Sequence, residues 1–333
     1  MKVLLIPAGA VELPSARLRA YQLLPHLESR GFKVAIWLPD PSARLRWSLP
    51  QLIRLAGRLL WADVIWIQKR LFPERFLRLC IGMGKKILYD FDDAVYLNDD
   101  GTPNDSLERF EATLRRSHIV IAGNRQLGSL ASRSCSRVEI VPTCVSSVAS
   151  DARETLPAET VTVIGWVGTK ANLRHLDQIE SVLRRLHEVF GDRITLRVVS
   201  DGTYEHPDIH VENRPWSLAG EVGEVRGFDI GIMPLEETEY SRSKCAFKAL
   251  LYMSQGVATV ASDLGMNHEL ILDGRNGLLA RGEAGWFEAL SSLANDPQRR
   301  AALGRSGLQT VKTEYTVDRG ASALADALER LAQ

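Results

Sequence analysis

The chain has 333 residues, of which 45% are hydrophobic and 25% are charged, and its formal net charge is zero. This composition is typical of a soluble globular protein with room for two domains, and it excludes a disordered chain, a collagen-like repeat and a small disulfide scaffold. A zero net charge also argues against a nucleic-acid-binding protein with a large overall positive charge.

The charge is distributed unevenly along the chain. Residues 1–150 contain 21 Lys and Arg against 14 Asp and Glu, a net charge of +7, so residues 151–333 carry −7. The basic first half predicts an anionic partner, such as a membrane surface or a phosphorylated ligand, although attraction between the two halves is an equal alternative.

The four cysteines form no C-x-x-C pair, and no histidine cluster has the spacing of a metal site. They are predicted to be reduced core residues, and no metal site is predicted from them. No apolar run approaches the roughly 18 residues of a membrane-spanning helix. We therefore expect a cytoplasmic protein that contacts a membrane, if at all, peripherally at its inner face.

Strand and helix patterns alternate from the start of the chain. The first strands are predicted over 3–6, 33–38, 63–68, 86–89, 118–122 and 138–141, and the helices between them over 16–30, 51–60, 73–83, 105–117 and 124–134. Continuous apolar strands that alternate with helices are typical of a doubly wound parallel sheet. Residues 1–145 are therefore predicted to form a Rossmann-like domain.

A linker rich in Ser, Ala, Thr and Pro is predicted over 146–160. The alternation then restarts, with strands over 161–167, 194–199, 209–212, 228–233 and 258–261 and helices over 172–190, 217–226, 244–255, 284–295, 297–311 and 316–332. We predict a second Rossmann-like domain over 161–314 and a C-terminal helix, 315–333, that crosses back to the first domain. The fold class is α/β, with two doubly wound domains that face a central cleft and bind ligands at the carboxyl ends of their strands.

The first predicted βα turn contains Gly9, which would let the backbone approach a phosphate, although a plain turn is an equal alternative. Arg17 and Arg19 begin the next helix, where their charge opposes the helix dipole. They indicate an anionic ligand or an acidic partner, or they are solvated surface arginines.

Three carboxylates, Asp90, Asp92 and Asp93, follow a predicted strand. Like charges this close repel unless they are paired or used. They could accept hydrogen bonds from sugar hydroxyls, act as a base or hold a divalent cation, while Asp90 or Asp92 could instead cap a helix. We favour a site role for Asp92 and Asp93.

In the second half, Ser243 is predicted to cap a helix on which Lys244 and Lys248 lie one turn apart on the same face. A helix N-terminus with two ammonium groups is a good diphosphate site, and a capped helix with solvated lysines is the alternative. The chain contains neither a G-x-S-x-G motif nor a Walker A motif, which disfavours hydrolases and P-loop kinases.

The most specific stretch is KCAFKALLYMSQGVATVAS, residues 244–262, which DLGMNHELILDGRNGLL continues. It resembles the corresponding block of family 4 glycosyltransferases, which are retaining, nucleotide-sugar-dependent enzymes of GT-B architecture. SARLRAYQLL and YDFDDAVY in the first half and NDPQRRAALGRSG near the end also match, so the resemblance extends over nearly the whole chain.

The resemblance implies a nucleotide-diphosphate-sugar donor on the second domain and a glycan, lipid-linked or other hydroxyl acceptor on the first. It implies no obligatory cofactor or metal, and a role in glycan, glycolipid or polysaccharide biosynthesis. Lys244 and Lys248 would hold the diphosphate and stabilise the departing charge, and Asp92 or Asp93 would contact the acceptor. The other residues implied at the donor site are Gly9, Gly168, Thr169, Trp216, Ser243, Gly265, Asn267 and Glu269.

The chain departs from the family at several of these positions. Ser243 and Leu251 stand where two glutamates are frequent, and Gly168, Thr169 and Asn172 stand where Arg and Lys are usual. A non-catalytic or regulatory protein that binds nucleotide sugars is therefore the main alternative. An NAD-dependent dehydrogenase lacks its glycine fingerprint and ribose-binding acid here, and a sugar-nucleotide epimerase is a lesser alternative of the same architecture.

A basic amphipathic stretch in the first half contains Arg44, Arg46, Arg54 and Arg58 between apolar residues. Such a stretch can lie in a membrane interface. A helix that covers the sheet, with its arginines in water, is an equal alternative. Pro50 is expected to break the stretch.

Overall fold

The computed structural model describes residues 1–38, 49–151 and 161–332. Arg44, Arg46 and most of the predicted linker lie outside the described residues. The chain divides into two compact units. The first comprises Met1–Cys144, Ser243–Cys245 and Val317–Gln333, and the second comprises Val145–Arg242 and Ala246–Thr316.

The first unit contains a parallel sheet of six strands. They are β1 (Lys2–Ile6), β2 (Lys33–Ile36), β3 (Val64–Gln68), β4 (Lys86–Phe91), β5 (Ile119–Ala122) and β6 (Val138–Ile140), in the order β2-β1-β3-β4-β5-β6. The strand order reverses between β1 and β3. Ligands of doubly wound sheets bind at the carboxyl ends of the strands beside such a switch point.

The helices that connect these strands are α1 (Pro14–Arg19), α2 (Leu24–Ser29), α3 (Leu49–Trp61), α4 (Glu74–Gly82), α5 (Leu107–Arg116) and α6 (Arg125–Ala131). The predicted continuous helix over 16–30 is wrong, because a 3₁₀ turn over Tyr21–Leu23 separates α1 from α2. Pro25 lies in the first turn of α2, where the N–H that it lacks needs no helical partner.

Pro50 lies at a helix boundary in the same way, and its break of the basic stretch stays a prediction, because Arg44 and Arg46 lie outside the described residues. Pro50 lies in the first turn of α3, and the helix continues from there to Trp61. Within the described residues, no helix is both long enough and apolar enough to cross a bilayer.

The second unit also contains a parallel sheet of six strands. They are β7 (Thr162–Val167), β8 (Ile194–Ser200), β9 (Val211–Pro215), β10 (Ile230–Met233), β11 (Ala258–Ser262) and β12 (Leu278–Ala280), in the order β12-β11-β10-β7-β8-β9. Counted within the unit this order is 6-5-4-1-2-3, the Rossmann arrangement read from its other edge. Its switch point lies between β7 and β10.

The remaining helices are α7 (Glu180–Phe190), α8 (Glu221–Arg226), α9 (Glu239–Arg242), α10 (Phe247–Ser254), α11 (Asn267–Leu270), α12 (Gly282–Asn295), α13 (Pro297–Glu314) and α14 (Val317–Ala332). The predicted helix over 172–190 begins instead with a 3₁₀ segment, Lys170–Ile179. The last helix, α14, packs its apolar face into the core of the first unit beside Leu23 and Leu27. All four cysteines are buried and free, as predicted.

Two paired glycines make room for aromatic rings in the second unit. Gly165 of β7 and Gly231 of β10 are register partners. A Cβ at Gly165 would lie 2.0 Å from the ring of Phe228, and one at Gly231 would lie 2.5 Å from the ring of Tyr252. The two rings pack edge to face with their centroids 6.0 Å apart. Glycine is therefore required at both strand positions.

Replacing Gly165 with alanine should destabilise the protein by about 1–3 kcal/mol or more, because a methyl group must displace a fully buried ring. Gly223 offers a matched control, since a Cβ there would meet nothing within 4 Å. In the middle of α8, alanine should instead add about 1 kcal/mol of stability. Urea unfolding midpoints measure both effects, and equal midpoints for the two variants would contradict the packing argument.

Candidate functional site

A series of hydrogen-bonded polar groups lies at the switch point of the first sheet. Gln68 ends β3 and is buried, and its Oε1 accepts a hydrogen bond from the Ala8 N–H at 2.7 Å. Its Nε2 donates to the Ser15 hydroxyl at 2.9 Å, and Ser15 donates to Asp92 Oδ1 at 2.8 Å. The turn after β1, the start of α1 and the end of β4 are thereby held together.

Each of the three predicted carboxylates is paired with a cation of the chain. Lys69 Nζ lies 2.6 Å from Asp93 Oδ2 and 3.3 Å from Asp92 Oδ1. Asp90 is buried and accepts two hydrogen bonds of 3.0 Å from the guanidinium of buried Arg19. Arg19 is therefore neither a solvated surface arginine nor open to a ligand, because Asp90 is its anion.

The carboxylates differ in their electrostatics. Burial raises the pKa of Asp90 to about 6, although the charge of Arg19 lowers it. Burial also favours the protonated form of Asp92, but the charges of Lys69 and Arg19 and a hydrogen bond from Ser15 outweigh it and hold the pKa of Asp92 below its usual value. Asp92 is thus an ionised hydrogen-bond acceptor at neutral pH and a poor base.

Gly9 lies in the turn after β1, beside this series of polar groups. Its carbonyl accepts a hydrogen bond from the Tyr21 hydroxyl at 3.2 Å. Arg70 follows β3, and its Nε donates to the Pro7 carbonyl at 2.6 Å. The structure therefore places Gly9, Asp92 and Asp93 at one edge of the first sheet.

At the switch point of the second sheet, Lys248 crosses the turn after β7. Its Nζ lies 5.3 Å from the centroid of the Trp166 ring, within reach of a cation–π interaction. A Cβ at Gly168 would stand 2.8 Å from Lys248 Cε and 2.6 Å from the Trp166 ring. Gly168 thus leaves the space through which the Lys248 side chain passes.

The predicted placement of both lysines on one helical face is wrong. The helix α10 begins at Phe247, so Lys248 lies in its first turn and Lys244 lies before it. Ala246 separates them and adopts φ 52°, a left-handed conformation that turns the chain before the helix starts. No side chain caps α10, so Ser243 is not its N-cap.

Ser243 is held by the first unit instead. Its hydroxyl accepts a hydrogen bond from the Ala94 N–H at 3.0 Å, and its carbonyl accepts one from Asn124 Nδ2 at 2.8 Å. These bonds hold the segment that carries Lys244 with the strand ends of the first unit and explain why the helix starts later than its sequence predicts.

Tyr252 of α10 stands between the carboxyl ends of β7 and β10. Its hydroxyl accepts a hydrogen bond from the Val167 N–H at 3.1 Å and donates one to the Ile232 carbonyl at 3.2 Å. Burial raises the pKa of Tyr252 above its usual value, so the hydroxyl keeps its proton and remains a donor. The Tyr252 hydroxyl therefore bridges the carboxyl ends of the two strands.

The next predicted residues follow β7 and β9. Thr169 is exposed, and its hydroxyl accepts a hydrogen bond from Asn172 Nδ2 at 2.8 Å. Trp216 follows β9, and its Nε1 donates to Oε1 of buried Glu221 at 2.8 Å. A carboxylate that the sequence reading did not select therefore lies beside Trp216.

The last group follows β11. Gly265 adopts φ 55°, and a Cβ there would stand 2.4 Å from the Arg242 carbonyl oxygen, so glycine permits this close approach of two backbones. Asn267 is buried and donates to the Ser262 carbonyl at 2.8 Å. Glu269 is exposed on α11.

Several polar residues at these edges were missed from the sequence. Lys69 and Arg70 follow β3 directly, so the rule that selected Asp92 would have found them. Gln68 is a polar residue at the end of an apolar strand, and this position could have marked it as a candidate site residue. Neither Tyr252 nor Glu221 carries a local signal, because a buried tyrosine in an apolar helix and a glutamate at a helix start are both ordinary.

Comparison with known proteins gives a family match over part of the chain and a fold for the whole of it. Residues 160–296 match the family model described as glycosyl transferases group 1. No curated protein matches the chain significantly. Among solved structures, HepE from Anabaena in complex with UDP and glucose has a TM-score of 0.71 and 13% identity, over 99% of this chain and 100% of HepE.

Two further structures are similar over almost their whole length. Sucrose-phosphate synthase from Thermosynechococcus elongatus has a TM-score of 0.70 and 13% identity, with 99% of each chain covered. A glycosyltransferase from Rickettsia africae has a TM-score of 0.72 and 11% identity, over 100% of this chain and 98% of that one. At these identities the likeness is one of fold, two Rossmann-like domains of the GT-B type.

Proposed function

We propose that this protein is a glycosyltransferase that moves a sugar from a nucleoside-diphosphate donor to an acceptor hydroxyl with retention of configuration. The proposal is supported by the match of residues 160–296 to the glycosyl transferases group 1 model and by the GT-B fold of the chain. The α/β fold with two Rossmann-like domains predicted from the sequence is confirmed. The family match over residues 160–296 supports the predicted glycosyltransferase activity. Membership of family 4, the retaining course and the pathway belong to the proposal.

The observation that carries the proposal is the position of Lys248. It lies in the first turn of α10, which no side chain caps, and beside Gly168 at the switch point of the second sheet. The first-turn N–H groups and the ammonium group together suit a diphosphate. In sugar transfer this diphosphate is the leaving group, so groups that stabilise its charge lower the barrier.

The nucleoside would lie toward Trp216 and Glu221. Leu251, where family members often have a glutamate, is buried in an apolar cluster with Val199 and Phe228 against which Trp216 packs. A carboxylate at 251 would be buried in that cluster. We propose that Glu221, adjacent to Trp216, supplies the acidic group for the ribose hydroxyls instead.

The acceptor would lie on the first unit. Asp92 and Asp93 are the proposed acceptors of hydrogen bonds from its hydroxyl groups, since the low pKa of Asp92 makes it a poor base. An oxygen of the donor diphosphate would take the proton. No obligatory cofactor or metal enters this scheme, in which Lys248 and the proposed contact from Lys244 supply the positive charge.

The proposed donor is a uridine diphosphate sugar, because HepE, which shares the fold, is described in complex with UDP and glucose. We propose a glycan, a glycolipid or a polysaccharide precursor as the acceptor, used in its biosynthesis at the cytoplasmic side of a membrane. Peripheral contact with that membrane through the basic first half is part of the proposal.

A second candidate is a protein that binds nucleotide sugars without transferring them. The observation that favours it is that Leu251, where family members often have a glutamate, belongs to an apolar cluster. The two candidates differ in turnover only. UDP release from a bound UDP-sugar in the presence of glycan acceptors supports the transferase, and binding without release supports the second candidate.

A thermal-shift screen with UDP, GDP, ADP, TDP and CDP, without added metal, tests the donor site. A ligand that binds only the folded protein raises the unfolding temperature, and 100-fold excess over Kd adds about 2.7 kcal/mol. We expect a selective shift with UDP that Lys248→Ala abolishes and that the exposed control Lys33→Ala retains. No shift with any nucleotide, or an equal shift in Lys248→Ala, would contradict the proposed site.

A further inference from the structure

The helix α3 has a broad apolar face, part of which is buried and part of which is exposed. Leu55 and Leu59 face the core and are buried. Leu49, Ile53 and Leu60 share a neighbouring face, about 120° around the helix, because residues four and eleven positions apart lie close together on a helix, and they are 70%, 63% and 69% exposed. We call these three residues the outer strip. Packing against the sheet accounts for Leu55 and Leu59 but does not account for the outer strip.

Positive charge lies to one side of the outer strip and at its C-terminal end. The sequence of α3, LPQLIRLAGRLLW, contains two arginines and no acidic residue, and Arg54 is exposed. At the C-terminal end of the helix, Lys2 Nζ lies 5.9 Å from the centroid of the Trp61 ring. Lys85 Nζ donates to the Leu60 carbonyl at 3.1 Å. An apolar strip with cations at its side and end is the pattern of a helix that lies in a membrane interface.

We propose that the outer strip of α3 lies in the headgroup region of a bilayer that contains anionic lipid. From Leu49 to Leu60 the strip extends over about 16 Å, at 1.5 Å per residue, so it would lie along the surface and not cross it. Anionic lipid suits the neighbouring cations, and the apolar side chains reach the acyl boundary. Membrane contact would place the proposed glycosyltransferase at a bilayer surface. The contact itself does not depend on the enzyme's activity.

A second copy of the chain is a less favourable partner for the outer strip. In a two-fold symmetric contact the same residues face each other. Pairing two outer strips would bring two α3 helices together that carry positive charge and no acidic residue to balance it. Charge complementarity therefore favours an anionic surface over a homodimer.

Sedimentation of the full-length protein with vesicles tests the proposal. We expect it to bind vesicles of phosphatidylcholine with 30% phosphatidylglycerol (about the anionic content of a charged leaflet) and to bind pure phosphatidylcholine at least about tenfold less. The double variant Ile53→Ser with Leu60→Ser should reduce the partition coefficient for anionic vesicles about tenfold or more, since apolar burial is lost. The single variant Arg54→Glu should reduce it several-fold and weaken its dependence on salt.

Val189 and Leu272 provide a matched control, because both are apolar residues of the second unit that are 56% exposed. Val189→Ser with Leu272→Ser should leave vesicle binding unchanged. Unfolding temperatures of all variants should stay close to that of the unmodified protein, since the changed residues are at the surface. Failure to bind anionic vesicles, or equal loss in both double variants, would overturn the proposal.

Light scattering tests whether the outer strip contacts a second copy of the chain instead of a membrane. A protein that is dimeric without lipid and becomes monomeric with Ile53→Ser and Leu60→Ser would show that the outer strip joins two copies, and this result would also overturn the proposal. The nucleotide thermal shift is measured without vesicles, so failure of donor binding and failure of membrane binding are separate results.

Discussion

Replacing Lys248 with alanine is expected to lower the rate of UDP release from a UDP-sugar by about 100- to 1,000-fold, while the protein remains folded. Removal of one group that stabilises developing charge in a preformed site typically has an effect of this size. The side chain lies over Trp166 beside the turn after β7 and is only partly buried, so its loss leaves a small cavity. Turnover and unfolding temperature are measured on the same preparation.

Gly168→Ala provides a companion to this variant. It keeps the ammonium group but places a methyl group 2.8 Å from Lys248 Cε, so the side chain must move. We expect a loss of turnover smaller than that of Lys248→Ala. The remote control Lys33→Ala should have the turnover of the unmodified protein. If Lys248→Ala retains full turnover, Lys248 does not hold the leaving group.

Replacing Asp90 with asparagine is expected to destabilise the protein by about 3–5 kcal/mol. The change removes one partner of a fully buried ion pair and leaves the Arg19 guanidinium without its counter-charge. Loss of this much stability is a large share of the total for a typical domain. Chemical denaturation at neutral pH, where Asp90 is ionised, measures the effect.

The double variant Arg19→Met with Asp90→Leu is the control for that result. It removes both charges and fills the space with apolar side chains, which is often close to neutral. We expect it to be more stable than Asp90→Asn by several kcal/mol. A double variant as unstable as the single one would show that shape, and not the unpaired charge, sets the cost.

The fold was accessible from the sequence because the strands are continuous apolar runs. The segments DVIWIQ and FDIGIM could be placed in parallel sheets without further information. The breaks in regular structure could not be predicted from the sequence in the same way. The stretch over 16–30 has a helical period throughout, and the 3₁₀ turn at Tyr21–Leu23 depends on Pro25 and on packing against α14.

The candidate site was accessible only in part. Residues directly after strands were selected correctly as edge residues, because a parallel sheet brings its carboxyl ends to one edge. The start of α10 was missed, since Ser243 and Lys244 read as a good helix start and are held instead by contacts with Ala94 and Asn124. Such contacts between residues more than 100 positions apart leave no trace in local patterns.

The hydroxyl of Tyr252 has a consequence for how the site meets a ligand. Tyr252 and Lys248 lie one helical turn apart on α10, and the phenol is bonded to both β7 and β10. The strands beneath the proposed diphosphate site therefore determine where the first turn of α10 stands before any donor arrives. The helix start that carries Lys248 is preorganised, so less conformational entropy is lost there when a diphosphate binds.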